Sequence, residues 1–142
     1  MLKEIDVSGF DTCNVEDMGC MFDECKSLEK VDVSRFDTSK VTNMNGMFYN
    51  CELLKEIAVS NFDTSKVTDM GGMFRDCELL KEIDVSGFNT SCVENMGGMF
   101  YGCKSLEKVE VSRLIGLRAL ICQCSKMIVY GFLFWMKRVM YY

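Results

Sequence analysis

The sequence predicts an α/β solenoid of about four 26-residue repeats, with short parallel strands on one face and short helices or helical turns on the other. One observation is the recurrence of phenylalanine every 26 residues, and the other is a change of hydrophobic period inside each repeat. The phenylalanines are Phe10, Phe36, Phe62 and Phe88, and the units that begin at them align without a gap after a half unit at 2–9. Because such a short unit cannot bury its apolar face alone, we expect the units to stack.

Each unit begins with a segment that is predicted to form a short helix or helical turn. In the second unit the apolar residues fall at helical spacing, namely Val41, Met44, Met47, Phe48 and Cys51. Side-chain oxygens in 37–39 lie just ahead, where they can cap a helix. In the fourth unit Ser91 and Glu94 have the spacing of a capping box. The sequence therefore places one helical element in each unit.

The second half of each unit is predicted to form a short strand. In the segment LEKVDV, Val31 and Val33 point one way and Asp32 the other, which is typical of a strand with one buried face. Stacked strands place their outward residues in a column, which consists of Asp6, Asp32, Ala58, Asp84 and Glu110. Flanking this column are Lys30, Glu56, Glu82 and Lys108.

This outward face is the predicted partner-binding surface. Its candidate residues are Asp6, Asp32, Asp84, Glu110, Lys30 and Lys108. Like charges stacked at strand spacing repel each other, so a basic protein partner would relieve the repulsion. The alternative is a solvated charged face that keeps sheets apart and has no partner.

Sulfur atoms recur at three positions of the first segment, and Met70, Met73 and Cys77 show the spacing. Soft sulfur ligands of this kind suit Cu(I). However, each of them recurs in step with apolar Phe, Val and Leu positions, and methionine fills irregular gaps in cores. We therefore predict that these sulfur atoms line the core, and that the chain holds neither a metal nor a cofactor.

Composition narrows the function classes. The chain has no histidine, which excludes Ser-His-Asp and Cys-His catalysis as well as histidine metal sites. No cofactor motif is present, so we predict that the protein is not an enzyme. The formal net charge of -5 argues against general nucleic-acid binding. The nine cysteines cannot all form intramolecular pairs because their number is odd.

The domain organisation divides near Arg113 into a solenoid at 1–113 and a non-repeat tail at 114–142. All 21 acidic residues lie in the first part, whereas the tail has four basic residues and no acidic one. Its apolar run at 127–136 is short for a membrane span, which needs about 20 residues. Three interpretations stay open for the tail: a C-terminal cap on the last repeat, a membrane contact, or a truncated end without a function.

The repeat pattern also carries a family resemblance. A cysteine three residues before L-x-x-[I/V]-x-V-S-x-F resembles the leucine-rich repeat, and FDTSKVTDMGGMF followed by C-x-x-L-K-E-I-D-V-S resembles the BspA-like class of bacterial surface repeats. The resemblance covers 2–113. It implies a curved solenoid with a parallel sheet, exposure on a bacterial surface, and binding of host or matrix proteins.

We therefore expect a non-enzymatic protein–protein interaction module that resembles bacterial surface adhesion repeats. The alternatives are a structural fragment of a longer repeat array with no partner of its own, and a protein held at a membrane by its tail. The resemblance implies a cell-surface or secreted protein, whereas Met1 to Glu4 begin no secretory signal, which leaves a cytoplasmic location open. Self-association through the bare edge of the first strand is also expected.

Overall fold

The computed structural model describes residues 2–111 and one strand at 128–130. The backbone winds in coils of 26 residues, which we number coil 1 to coil 4 from residues 10, 36, 62 and 88, after a half coil at 2–9. Its strands are β1 (Glu4–Ile5), β2 (Lys30–Val31), β3 (Glu82–Asp84), β4 (Lys108–Glu110) and β5 (Ile128–Tyr130). They form a two-stranded sheet, β1-β2, and a three-stranded sheet, β3-β4-β5, in which every pair is parallel.

Successive coils stack in register, as the repeat predicts. Glu4 pairs with Lys30, and Glu82 pairs with Lys108, so partners are one repeat apart. On the opposite edge, single parallel bridges join equivalent residues of all four coils, which are Asp17, Asn43, Asp69 and Asn95. The stack is therefore held by backbone pairing at two edges.

The predicted helices, and with them the α/β class, are wrong. The residues that the structure describes contain turns and short strands and no helix, so the fold is an all-β stack of coils. In coil 2, alternate amides donate to carbonyls of the next coil at 2.8–2.9 Å, from Met44, Gly46, Phe48 and Asn50. Of the amides between them, those of Met47 and Tyr49 donate to the carbonyl three residues back, and that of Asn45 donates to Asn43 Oδ1. An α-helix needs every amide for a bond four residues back along its own chain, so this alternation excludes it.

Left-handed residues interrupt the same segment twice in every coil. In coil 2 they are Gly46 with φ 60° and Asn50 with φ 58°. The equivalent residues are also left-handed, namely Cys20, Gly72 and Gly98, and Glu24, Asp76 and Gly102. A helix cannot pass through such a residue. The side-chain oxygens expected to cap helices therefore stabilise turns, as when Asp37 Oδ1 accepts the amide of Ser39 at 3.0 Å.

The core lies between the strand edge and the bridge edge, and it contains the repeated apolar positions. Phe22, Phe48, Phe74 and Phe100 form a continuous stack with ring centroids 5.2–5.6 Å apart and nearly parallel planes. Buried threonines add polar links between coils. For example, Thr64 accepts the amide of Asn89 at 2.7 Å and donates to its carbonyl at 3.0 Å. The stack therefore satisfies buried backbone groups between coils without a continuous sheet.

Most of the tail lies outside the described residues, and with it the prediction of a cap at 114–142. The described part is the backbone of β5, which pairs in parallel with β4 and adds a fifth strand to the stack. Among the described residues, none forms a helix that could cross a bilayer.

Candidate functional site

The outward strand positions gather on one surface, as predicted. We call this surface the acidic face and define it by two columns: Glu4, Lys30, Glu56, Glu82 and Lys108, and Asp6, Asp32, Ala58, Asp84 and Glu110. Seven of these ten side chains are carboxylates and two are lysines, and all are exposed except the half-buried Glu110. A groove of about 550 Å³ crosses the face from Lys30 to Glu110. The six predicted partner-binding residues lie together on this face.

The three aspartates on this face are held by the turn that follows them. Asp6, Asp32 and Asp84 each accept a hydrogen bond, through Oδ1, from the backbone N–H two residues on, at 2.9 Å. The donors are Ser8, Ser34 and Ser86. Hydrogen bonds from the side chains and amides of these serines hold the pKa of all three aspartates below its usual range. The carboxylates therefore stay ionised, with their positions set by the backbone.

Strand pairing is interrupted in the middle of the acidic face. Residues 56–58 of coil 2 form no strand, so they separate the sheet of β2 from the sheet of β3. Ala58 has no carboxylate to accept the amide of Ser60, whereas Asp32 accepts that of Ser34. Glu56 and Glu82 also occupy equivalent positions of neighbouring coils, where like charges oppose pairing. The groove lies over this interruption, and Ile57, Ala58 and Val59 line its floor.

The bridge edge carries a second column of polar residues, which the sequence reasoning missed. We call it the amide edge: Asp17, Asn43, Asp69 and Asn95, in which carboxylates and amides alternate. Asp69 Oδ1 accepts hydrogen bonds from Asn45 Nδ2 at 3.0 Å, Asn95 Nδ2 at 3.0 Å and the Gly71 amide at 2.8 Å. Burial raises the pKa of Asp69, but these three donors outweigh it and leave the pKa below its usual value. The amide edge is thus internally satisfied.

The signal for the amide edge was present in the sequence as an aspartate or asparagine before every first methionine. Spacing alone did not show that the two residue types complement each other between coils. Gly71 also belongs to this edge, because a Cβ there would lie 2.5 Å from Asn95 Nδ2 and 2.9 Å from Asn45 Nδ2. The glycine leaves room for the two amides that reach Asp69.

The repeated sulfur atoms lie in the core or, in Met21 and Cys25 of coil 1, pack against it, which confirms the interpretation of Met70, Met73 and Cys77 as packing residues. All three are fully buried. Cys51, Cys77 and Cys103 also donate hydrogen bonds from Sγ to the carbonyls of Phe22, Phe48 and Phe74 at 3.0–3.2 Å. Burial raises the pKa of Cys51 to about 12, and it also raises the pKa of Cys77. Over the described residues, no three potential metal ligands of the His, Cys, Asp and Glu types come together.

Stacked coils with two hydrogen-bonded edges and a charged outer face define a repeat protein. The chain belongs to the family described as Mycoplasma protein of unknown function, DUF285, whose model matches residues 2–57 and 26–115. Neither the comparison with curated proteins nor that with solved structures found a match.

Proposed function

We propose that this chain is a non-enzymatic protein-binding module whose acidic face contacts a cationic segment of a protein partner. The observation that carries the proposal is the composition of that face, where seven of ten outward side chains are carboxylates. Equivalent side chains of paired strands lie about 4.8 Å apart, a spacing at which like charges repel. Lysine or arginine side chains of a partner would offset this repulsion and would be attracted before contact.

The groove suits an extended segment of chain. It crosses four coils, from Lys30 in coil 1 to Lys108 and Glu110 in coil 4, so a segment lying along it meets carboxylates at every coil. Its floor is apolar at Ile57 and Ala58. Asp32 and Asp84 border the floor on either side, and their turns hold them in place without the partner. Preorganised charges lose little conformational entropy on binding.

The finer part of the proposal places the module on a bacterial cell surface as an adhesion protein that binds a host or matrix protein. Its support is the resemblance of units such as FDTSKVTDMGGMF to the BspA-like leucine-rich class. Membership of the DUF285 family is compatible with a repeat protein of this kind. The absence of histidine from the whole sequence supports the non-enzymatic part of the proposal.

The test is a charge-removal variant with a matched control. Asp32→Asn with Asp84→Asn keeps the Oδ1 acceptor of each turn and removes two charges from the face. Asp37→Asn with Asp63→Asn removes two charges from identical turns elsewhere, where the Ser39 and Ser65 amides are accepted at 3.0 Å. Asparagine is compatible with that turn, since Asn89 accepts the Ser91 amide at 3.0 Å in coil 4.

The probe is a fluorescent ten-residue peptide of alternating lysine and serine, with a glutamate–serine peptide as its counterpart, titrated by polarisation at several salt concentrations. We expect the face variant to weaken lysine-peptide binding about tenfold and to flatten its salt dependence, and the control variant to change affinity less than about twofold. Equal effects of the two variants would mean that only net charge is sensed. That result, or no binding of the lysine peptide, would overturn the proposal.

A further inference from the structure

A different surface lies along the turn before the strand segment of each coil, including coil 2, where that segment forms no strand. It consists of three positions per coil, which we call the leucine edge: Lys26, Ser27 and Glu29, then Glu52, Leu53 and Lys55, then Glu78, Leu79 and Lys81, then Lys104, Ser105 and Glu107. The middle position is occupied by leucine in coils 2 and 3, and each of these leucines is 39% exposed. The residue after it in every coil is a buried leucine, so the edge is fixed to the core.

Opposite charges flank the middle position in every coil. Coils 1 and 4 carry lysine before it and glutamate after it, whereas coils 2 and 3 carry glutamate before it and lysine after it. The two outer junctions of the stack are therefore complementary. Lys26 pairs with Glu52 at 3.3 Å, and Lys55 pairs with Glu29 at 2.8 Å. Beyond the centre, Lys104 pairs with Glu78 at 2.5 Å.

The central junction, between coils 2 and 3, is not complementary. Glu52 is stacked against Glu78, and Lys55 is stacked against Lys81. Like charges at this spacing destabilise a stack. The two exposed leucines lie between these two like-charged pairs. Repulsion and exposed apolar surface therefore coincide at one place on the edge.

We propose that the leucine edge binds a second copy of this chain side by side, around a two-fold axis parallel to the stack. This axis places each coil opposite the same coil of the second copy. It also brings the column before the middle position opposite the column after it. Glu52 then faces Lys55 of the second copy, Lys55 faces Glu52 of the second copy, and Leu53 meets its own equivalent. The same exchange in coil 3 pairs Glu78 with Lys81. Every flanking charge of the four coils meets an opposite charge, which makes the edge self-complementary.

The charge pattern also selects between the two possible arrangements. A two-fold axis perpendicular to the stack would bring coil 2 against coil 3 without exchanging the columns. Glu52 would then face Glu78 of the second copy, and Lys55 would face Lys81. All these contacts are repulsive, so the charges admit only the parallel arrangement.

The interface is small. Four coils at about 4.8 Å spacing make it under 20 Å long, too short for one narrow edge to bury the roughly 800 Å² per partner of a standard stable interface. We therefore expect a weak dimer whose population rises with concentration over the micromolar to millimolar range. Salt weakens it, because exposed ion pairs are screened.

The decisive experiment reverses the charges in two separate variants and then mixes the variants, so that opposite charges meet again between the two copies. It uses the full chain in analytical ultracentrifugation. Glu52→Lys with Glu78→Lys makes both central columns basic, and Lys55→Glu with Lys81→Glu makes both acidic. We expect each variant alone to remain monomeric at concentrations where the unaltered chain dimerises. An equimolar mixture of the two variants should form a heterodimer at least as tight as the original dimer.

Matched controls separate this surface from general charge attraction. Glu16→Lys with Glu94→Lys, and Lys40→Glu with Lys66→Glu, make the same charge changes at exposed positions away from the edge. Each should dimerise like the unaltered chain, and their mixture should gain nothing. Association that follows the control pair, or swapped variants that still dimerise alone, would overturn the proposal.

A second variant does not depend on charge reversal being tolerated. Leu53→Ser with Leu79→Ser copies the side chains that coils 1 and 4 already carry at this position, so the fold accepts it. We expect it to weaken dimerisation about tenfold with an unchanged melting curve. Unchanged dimerisation would show that the leucines do not meet, and would also overturn the proposal.

Discussion

The acidic face and the amide edge lie on opposite sides of the same core, and both contain stacked aspartates, yet they differ in what surrounds each carboxylate. On the amide edge Asn43 lies between the two aspartates, and Asn95 lies on the far side of Asp69. Asp69 accepts three hydrogen bonds. On the acidic face Asp6 and Asp32 are neighbours in adjacent coils with no amide between them. The carboxylates of the amide edge accept hydrogen bonds from side chains of neighbouring coils, whereas the aspartates of the acidic face accept them from their own turns and are exposed.

The largest effect should come from removing the central acceptor of the amide edge. Asp69→Ala leaves the Asn45 and Asn95 amides and the Gly71 N–H without their acceptor, so we expect a loss of about 2–3 kcal/mol in the free energy of unfolding. Asp84→Ala on the acidic face removes one turn acceptor and should cost about 1 kcal/mol or less. Urea denaturation followed by circular dichroism compares the two. Equal losses would remove the distinction between the two columns.

A smaller effect should follow from adding a carboxylate to each column. Asn43→Asp removes the donor to Asp17 Oδ1, now 3.0 Å away, and places three carboxylates in adjacent coils. We expect it to cost about 1–2 kcal/mol at pH 7 and less at pH 3. Ala58→Asp also adds a charge between two aspartates, but there solvent screens it and Ser60 can donate to the new side chain. Its expected cost is about 0.5 kcal/mol or less, by the same denaturation measurement.

The smallest effect should appear in the pH dependence of stability. The folded pKa of Asp69 lies below its unfolded value, so its ionisation contributes stability above about pH 4 that is lost as the pH falls through the folded pKa. Asp69→Asn removes this titration, and its unfolding free energy should fall less between pH 5 and pH 2 than that of the unaltered chain. Parallel urea curves at these pH values check it, and identical slopes would contradict it.

The stacking of the coils could be predicted from the sequence because it depends on recurrence alone. Phe36, Phe62 and Phe88 recur in register and are all buried, and the strand columns follow from the alternation in LEKVDV. The predicted acidic face needed no more than this alternation, since neighbouring strands of one stack must present the same positions outward.

The helix could not be excluded by the spacing of apolar residues. Met44, Met47 and Phe48 follow one another at intervals of three residues and one residue. This spacing is compatible with the buried face of a helix and equally with that of a coil of consecutive turns. The two structures differ in which carbonyls accept the hydrogen bonds of the backbone amides. Here alternate amides donate to carbonyls of the next coil, which the sequence of one repeat does not reveal. In coils 2 to 4 the glycine before the second methionine was the available sign, because Gly46, Gly72 and Gly98 all adopt positive φ. The complementarity of the amide edge required the coils to be stacked before it could be seen.

The hydrogen-bonded thiols in the core can report when neighbouring coils of the stack separate. With its pKa raised to about 12, the Cys51 thiol is ionised in roughly one molecule in ten thousand at pH 8. Alkylating reagents attack the thiolate, and the buried Sγ is also out of their reach. Modification of Cys51, Cys77 or Cys103 therefore records an event in which neighbouring coils separate. The rates at these three sites would report, by mass spectrometry, whether the stack unwinds coil by coil or opens as a whole.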